Sequence, residues 1–276
     1  MIVFPHCKIN IGLFVTGKRS DGFHSLESVF APVDWRDVLE INLNDSQDCT
    51  LRISGALIEG DPMTNIVVKA YQILRESYAI SGVDFHLLKN LPTGAGLGGG
   101  SADGTYALKA LSELFQLSIN QEELLSMSAR LGSDCPFFVE NSIAFVSGRG
   151  EVMERMNLNL SSYFIMIAHP GIHVSTAEAY KMLSPSPASF DLRKLPELAI
   201  EEWKNHIRND FEAPMVKAYP IIGEWIQKMY EGKALYAAMS GSGSSVFGIF
   251  SSKEKMMSAS SSFNITSARL YTGKFL

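Results

Sequence analysis

Pro92-Thr-Gly-Ala-Gly-Leu-Gly-Gly-Gly-Ser-Ala-Asp103 is the stretch that organises the rest of the chain. Five glycines, Gly94, Gly96, Gly98, Gly99 and Gly100, fall within seven residues. Such density removes Cβ atoms where backbone must adopt a positive φ or approach a ligand closely. The stretch follows Val83-Asp-Phe-His-Leu-Leu88, whose alternation predicts a strand. It opens a segment with Ala107, Leu108, Leu111, Leu114 and Phe115 at spacings of three and four, which predicts an amphipathic helix. A glycine turn between strand and helix aims free N–H groups and the positive helix end at one point, as a phosphate site requires. The plain alternative is a solvated surface turn, and consecutive glycines between two amphipathic elements speak against it.

Three familiar phosphate loops fit poorly. Gly94-x-Gly96-x-x-Gly99 satisfies the dinucleotide fingerprint, but it follows several earlier strands, and no acidic residue ends a strand about 20 residues on. No lysine follows the glycines, as a Walker A loop needs. A protein-kinase loop would be followed by His-Arg-Asp and Asp-Phe-Gly, and neither occurs.

Outward from the loop, 276 residues suit two modest domains, with a break expected near 155 that gives 1–155 and 156–276. A hydrophobic share of 46% against 19% charged excludes disorder as the main theme. A net charge of −5 argues against nucleic acid as a partner. Cys7, Cys49 and Cys135 are odd in number and lack CxxC spacing, so neither a disulfide framework nor a zinc site is expected. No apolar run approaches the roughly 20 residues of a membrane span, and the first residues lack a secretory pattern. The expectation is a cytoplasmic protein without membrane contact, self-associating as a weak homodimer if at all.

Strands are expected at Ile9–Val15, Val38–Leu43 and Cys49–Ile53, the last two joined by the polar Asn44–Asp48 turn. Thr64 is the expected cap of a helix over 65–78, and Asn120 with Glu123 reads as a capping box. Phe137–Val146 reads as a buried strand. Later strands are expected at Tyr163–Ala168, Leu235–Met239, Ser245–Phe250 and Ala268–Thr272, with helices around 175–183, 197–205 and 214–230.

The glycine loop resembles the second motif of the GHMP kinases, a Pro-x-x-x-Gly-Leu-Gly-Ser-Ser-type loop that cradles nucleotide phosphates. Lys8-Ile-Asn-Ile-Gly-Leu-Phe and Gly17-Lys-Arg-Ser-Asp-Gly-Phe-His24 resemble the first motif of one branch of that family, and Ser240-Gly-Ser-Gly-Ser-Ser-Val-Phe247 resembles the third. The loop departs from the pattern in ending Ser101-Ala-Asp-Gly, with a single serine, and Phe23 stands where tyrosine is common.

The resemblance implies an α+β architecture of two domains, an N-terminal ribosomal-S5-like ATP-binding domain and a C-terminal ferredoxin-like domain. It implies a kinase that transfers phosphate from ATP, with Mg²⁺, to a hydroxyl of a small cytidylyl substrate. Gly132-Ser-Asp134-Cys-Pro-Phe-Phe resembles the segment with the family's catalytic aspartate, making Asp134 the candidate base and Lys8 the cation beside it. The nucleotide is expected at Asn65, Pro92, Gly94, Ala95, Gly96, Leu97, Gly98, Gly99, Gly100, Ser101, Ala102, Asp103 and Gly104, with Ser101 as the candidate metal hydroxyl. The acceptor is expected at Asn10, Phe23, His24, Tyr180, Gly241 and Gly243, with Phe23 and Tyr180 on the two faces of the base and His24 at its edge. Read singly, Asp134 is a turn residue, Lys8 a lysine reaching solvent and the aromatics ordinary core. An NAD-dependent oxidoreductase and a non-catalytic nucleotide-binding module are the readings from other classes.

Overall fold

A computed structural model describes residues 1–58, 60–263 and 269–276. The chain opens with β1 (Ile2–Val3), β2 (His6–Lys18), β3 (His24–Arg36), β4 (Val38–Leu43) and β5 (Cys49–Gly55). Then come α1 (Ile66–Ser77), β6 (Val83–Lys89), α2 (Gly99–Leu114), α3 (Gln121–Leu131), α4 (Phe137–Glu140), β7 (Ala144–Ser147) and β8 (Val152–Arg155). The remainder is β9 (Phe164–His169), α5 (Thr176–Lys181), α6 (Trp203–His206), α7 (Glu212–Ala218), α8 (Pro220–Glu231), β10 (Tyr236–Met239), β11 (Val246–Phe250), α9 (Lys253–Ser260) and β12 (Arg269–Lys274).

Two compact units share the chain: residues 1–7, 35–93 and 98–141 form the first, and 8–34, 94–97 and 142–276 the second. Compactness and descent are different criteria, so these discontinuous units do not bear on the expected halves at 1–155 and 156–276.

In the first unit the sheet runs β1-β4-β6-β5, with β6 antiparallel to β4 and parallel to β5. Strand β6 alternates strictly, burying Val83, Phe85, Leu87 and Lys89 while Asp84, His86 and Leu88 face out. The apolar members meet Val67, Tyr71 and Leu74 of α1, Leu108 and Leu111 of α2 and Met127 of α3 in one core. Burying each such side chain contributes about 1.5–3 kcal/mol. Helix α1 is capped by Asn65, whose Oδ1 accepts from Val67 N at 2.9 Å, and not by Thr64. Thr64 instead lies in a 3₁₀ turn and donates to Asp61 O. The Asn120 cap is as expected, accepting from Glu123 N at 2.9 Å.

In the second unit one sheet runs β10-β11-β9-β12, antiparallel throughout. With helices between β9 and β10 and α9 between β11 and β12, this is the ferredoxin-like order. The other sheet is β2-β3-β7-β8. The α+β class holds.

Several expectations are corrected. Strands β4 and β5 do not pair; β6 comes between them. Phe137–Val146 is not one strand: Phe137–Glu140 is helical, Asn141 turns at φ 54°, and only Ala144–Ser147 is extended. The helix expected over 214–230 breaks at Tyr219, because Pro220 cannot continue it. Strand β12 begins at Arg269, and Ala268 lies outside the described residues.

Candidate active site

Gly94, Gly96 and Gly98 all take positive φ, at 61°, 75° and 68°, while the intervening Ala95 and Leu97 are buried anchors. A Cβ on Gly96 would stand 2.0 Å from Ser240 O, so no other residue fits there. Gly98 occupies the N-cap of α2 and offers no side chain, so no side-chain cap covers the first amides of that helix. The first helical bond runs from Ala102 N to Gly98 O, and the amides of Gly99, Gly100 and Ser101 come before it. A Cβ on Gly100 would meet nothing within 4 Å. A bare, positively polarised helix start is an anion site in waiting.

The turn carrying Asp134 is latched to this helix within the first unit. Thr105 Oγ1 donates to Cys135 O at 2.9 Å, and the hydroxyls of Ser101 and Thr105 both bond the Cys135 thiol. Burial pushes that thiol up to about 11, so it is a packing group and not a nucleophile. Asp134 is thereby set one residue from a side chain that touches Ser101.

A second polar constellation lies in the second unit. Lys8 is 4% exposed; its ammonium donates to Asn10 Oδ1 at 2.6 Å and sits 4.2 Å above the Phe30 ring. Lys8 does not reach solvent. Asn10 Nδ2 donates to Ser28 Oγ, and Ser28 Oγ donates to Gly12 O. Asn10 N donates to Ser240 Oγ at 3.2 Å, and Ser240 Oγ donates to Gly96 O at 2.8 Å. Lys8 N bonds Leu97 O at 2.9 Å. The first motif, the middle of the glycine loop and the third motif thus form one hydrogen-bonded network.

Four of the expected contacts involve residues that the fold engages in other ways. Asn10 is buried with both ends of its amide engaged, so within the fold it orients Lys8. Asp103 is 2% exposed and bonded to the Lys89 ammonium, which leaves it no path to a nucleotide. Gly104 is buried where a Cβ would press on Ile66 Cγ1 at 2.7 Å, so its role is close packing of α2 on α1. Phe23 and Tyr180 do not form a sandwich: Tyr180 stacks on His24 at 4.7 Å and 16°, and Phe23, 54% exposed, lies under the Arg149 guanidinium at 4.9 Å. Of the remaining acceptor residues, Gly241 and Gly243 take positive φ, and a Cβ on Gly241 would meet Gly96 Cα at 3.1 Å.

Other residues escaped the sequence reading. Asn209, buried, donates to Met239 O and Gly241 O and accepts from Phe211 N, pinning the third motif. Ser28 carries no signal as an isolated serine, and Ser240 was read only as part of the third motif. His169 is held near pH 4 by burial, with Arg269 and His173 acting in the same direction, and lies beside Ser244 and Ser245. Among the described residues no group of three or more His, Cys, Asp or Glu could hold a metal ion, and no helix is long and apolar enough to cross a membrane.

Comparison with known proteins agrees with this geometry. Residues 65–142 match the GHMP kinases N terminal domain and 191–264 the GHMP kinases C terminal domain. A 4-diphosphocytidyl-2-C-methyl-D-erythritol kinase of Bacteroides fragilis strain YCH46 is 46% identical over 258 residues, covering 93% of this chain and 94% of the relative. One from Chlorobium limicola is 38% identical, covering 90% and 87%. The crystal structure of a 4-(cytidine 5'-diphospho)-2C-methyl-D-erythritol kinase superposes with TM-score 0.83 at 28% identity, covering 100% of this chain and 99% of that one. Homoserine kinase of Cytophaga hutchinsonii shares the fold, with TM-score 0.74 at 17% identity, covering 100% of this chain and 94% of that one. With both domain models matched in order and relatives aligned along nearly its whole length, the chain belongs to the GHMP kinases.

Proposed function

We propose that the chain transfers the terminal phosphoryl group of ATP to the 2-hydroxyl of 4-diphosphocytidyl-2-C-methyl-D-erythritol, a step in non-mevalonate isoprenoid precursor synthesis. The observation that carries this reading is the uncapped start of α2, with the Asp134 turn latched to the same helix through Ser101, Thr105 and Cys135. The acceptor is taken from the name shared by relatives at 38–46% identity.

Phosphoryl transfer asks for in-line positioning and neutralised charge more than for covalent work. The amides from Gly98 to Ser101 hold phosphate oxygens, while the backbone of Gly94–Leu97 shapes the cradle. Asp134 accepts the proton of the attacking hydroxyl. Lys8, aimed by Asn10 and Phe30, favours the developing alkoxide. His24 and Tyr180 form one aromatic wall for the cytosine, and Asn65 lies toward the adenine side. Ser101 is the hydroxyl that would join the shell of a Mg²⁺ ion carried by the nucleotide phosphates. That ion supplies neutralisation of charge on the transferred group.

Residues 1–155 are read as the ATP-binding domain and 156–276 as the partner domain. The three cysteines, buried as thiols, suit the cytoplasm, where ATP is supplied. A net charge of −5 gives no reason to expect nucleic acid, and any self-association is read as a weak homodimer.

The test is transfer of labelled phosphate from ATP to a panel of alcohols. The cytidylyl substrate is expected to be labelled at least about 100-fold faster than homoserine, mevalonate or galactose. Preference for one of the other three overturns the acceptor, and NADH binding without transfer overturns the class.

A further inference from the structure

His24 follows directly on the hairpin tip between β2 and β3, and that tip is closed by one carboxylate. Arg19 Nε donates to Asp21 Oδ2 at 3.0 Å, and Asp21 Oδ1 accepts from Phe23 N at 3.1 Å. Arg19 N donates to Phe23 O at 2.8 Å and Gly22 N to Arg19 O at 3.2 Å, so the tip folds back on itself just before His24. Gly22 makes the turn at φ 85°. The tip between β7 and β8 repeats the device: Glu151 Oε2 accepts from Arg149 N, and Glu151 Oε1 lies 3.6 Å from Arg149 Nε.

The two tips are neighbours because β3 pairs with β7, Ser28 opposite Val146, and Leu26 N continues the ladder to Gly148 O at 2.8 Å. The Arg149 guanidinium crosses from one tip to the other and lies 4.9 Å from the centre of the Phe23 ring. Charges alternate across the junction, since Asp21 and Glu151 each feel both Arg19 and Arg149. Desolvation pushes both carboxyls up, but the amides and guanidiniums around them more than offset it and hold both below their ordinary values. An exposed ion pair alone is worth about fivefold in an equilibrium at most. Here the carboxylate also fixes the backbone of Phe23, the residue before His24.

We propose that Asp21 and Glu151 are positioning residues of the acceptor site: with Arg19 and Arg149 they clasp the two hairpin tips and hold the Phe23–His24 turn so that His24 lies flat on Tyr180. This rests on the reading that His24 and Tyr180 wall the cytosine. The stack, at 4.7 Å and 16°, depends on where the His24 backbone stands, because the imidazole has only two side-chain torsions of its own. Neither carboxylate takes part in proton or phosphoryl transfer in this scheme. The clasp therefore acts on acceptor binding and leaves ATP binding and the chemical step alone. Without it the tip samples other orientations, and acceptor affinity falls by the fraction of molecules whose wall is no longer preformed.

The test is steady-state phosphorylation of the cytidylyl alcohol by Asp21→Ala, Asp21→Asn and Glu151→Gln, with KM for each substrate and kcat measured separately. Asp21→Ala loses both the turn bond and the ion pair, and should raise the acceptor KM about five- to twentyfold. Asp21→Asn keeps an acceptor for Phe23 N and loses only the charge, so it should raise that KM about two- to fivefold, as should Glu151→Gln. In all three, kcat and the KM for ATP are expected to stay within about 1.5-fold of wild type. The isosteric Asp21→Asn carries the test if Asp21→Ala does not fold. An acceptor KM that does not move in these variants overturns the inference, and so does an equal rise in the KM for ATP, which marks a general loss of structure. His24→Ala separates the two layers. If it leaves the acceptor KM unchanged, the base-wall reading fails and the inference with it; if it raises that KM while the clasp variants do not, the inference alone fails.

Discussion

Replacing Gly96 by alanine should disable the loop while leaving the protein folded. Gly96 has φ of 75°, where a Cβ costs roughly 1–2 kcal/mol. The added Cβ would stand 2.0 Å from Ser240 O and 3.3 Å from Gly243 N. Ser240 O is itself held by Gly243 N at 3.0 Å, and Ser240 N by Ser245 O at 2.9 Å, so the obstacle is a pinned backbone and not a flexible tip. The two loops must part by about 1 Å to restore ordinary contact. Parting them sacrifices the Ser240 Oγ bond to Gly96 O, worth about 1 kcal/mol. A total of about 2–3 kcal/mol, if borne by the bound conformation, lowers ATP affinity roughly 30- to 150-fold. A 1 Å shift of the phosphate cradle should cost kcat/KM about 100-fold. Gly100→Ala is the control for folding: its Cβ meets nothing within 4 Å, and alanine is the better helix former by up to about 1 kcal/mol. Calorimetric titration of ATP, beside thermal melts of all three proteins, reads both effects. If Gly96→Ala binds ATP within about twofold of wild type, the loop does not depend on this backbone and the reasoning is refuted.

Other perturbations report on separate parts of the molecule. Gly104→Ala presses on Ile66 and Leu131 and should cost about 1–2 kcal/mol, lowering Tm by roughly 2–6 °C while activity per folded molecule stays near wild type, since no ligand contact is involved. His169 is held near pH 4 in the fold against an ordinary value of 6.5. The native and unfolded states are thus equally unprotonated above about pH 6.5, and stability is lost as pH falls from there toward 4 because only the unfolded chain takes up the proton. Urea melts across that window should show His169→Gln with a shallower decline than wild type; equal slopes would exclude His169 as the cause. Asp103 works in the opposite direction, since its raised pKa removes stability as pH rises from 3.8 to about 7, and Asp103→Asn should flatten that arm of the same profile.

How far these features could be read from the chain depends on whether the signal was local. The Asn120 cap was legible because cap and capped amide lie three residues apart. The bare start of α2 was legible because glycines at 94, 96, 98, 99 and 100 state their own conformational purpose. Strand β3 was not, since Pro32 interrupts its run and demotes it on local rules. The insertion of β6 between β4 and β5 rests on pairings across 34 to 50 residues and has no local trace. Lys8 and Asn10, two apart on one strand, share a face, so their contact was available from strand periodicity alone. Lys89 was equally available, falling on the inward side of a strictly alternating strand, and a lysine there demands buried partners. That those partners are Asp37 and Asp103, 52 and 14 residues away, only the fold reveals.

The chemistry itself turns on Asp134. Steady-state transfer from ATP to the cytidylyl alcohol by Asp134→Asn, measured beside its equilibrium ATP affinity, separates catalysis from binding. A general base predicts kcat lowered about 10²- to 10⁴-fold with ATP affinity held within about threefold. Turnover at the wild-type rate would show that some other group accepts the proton.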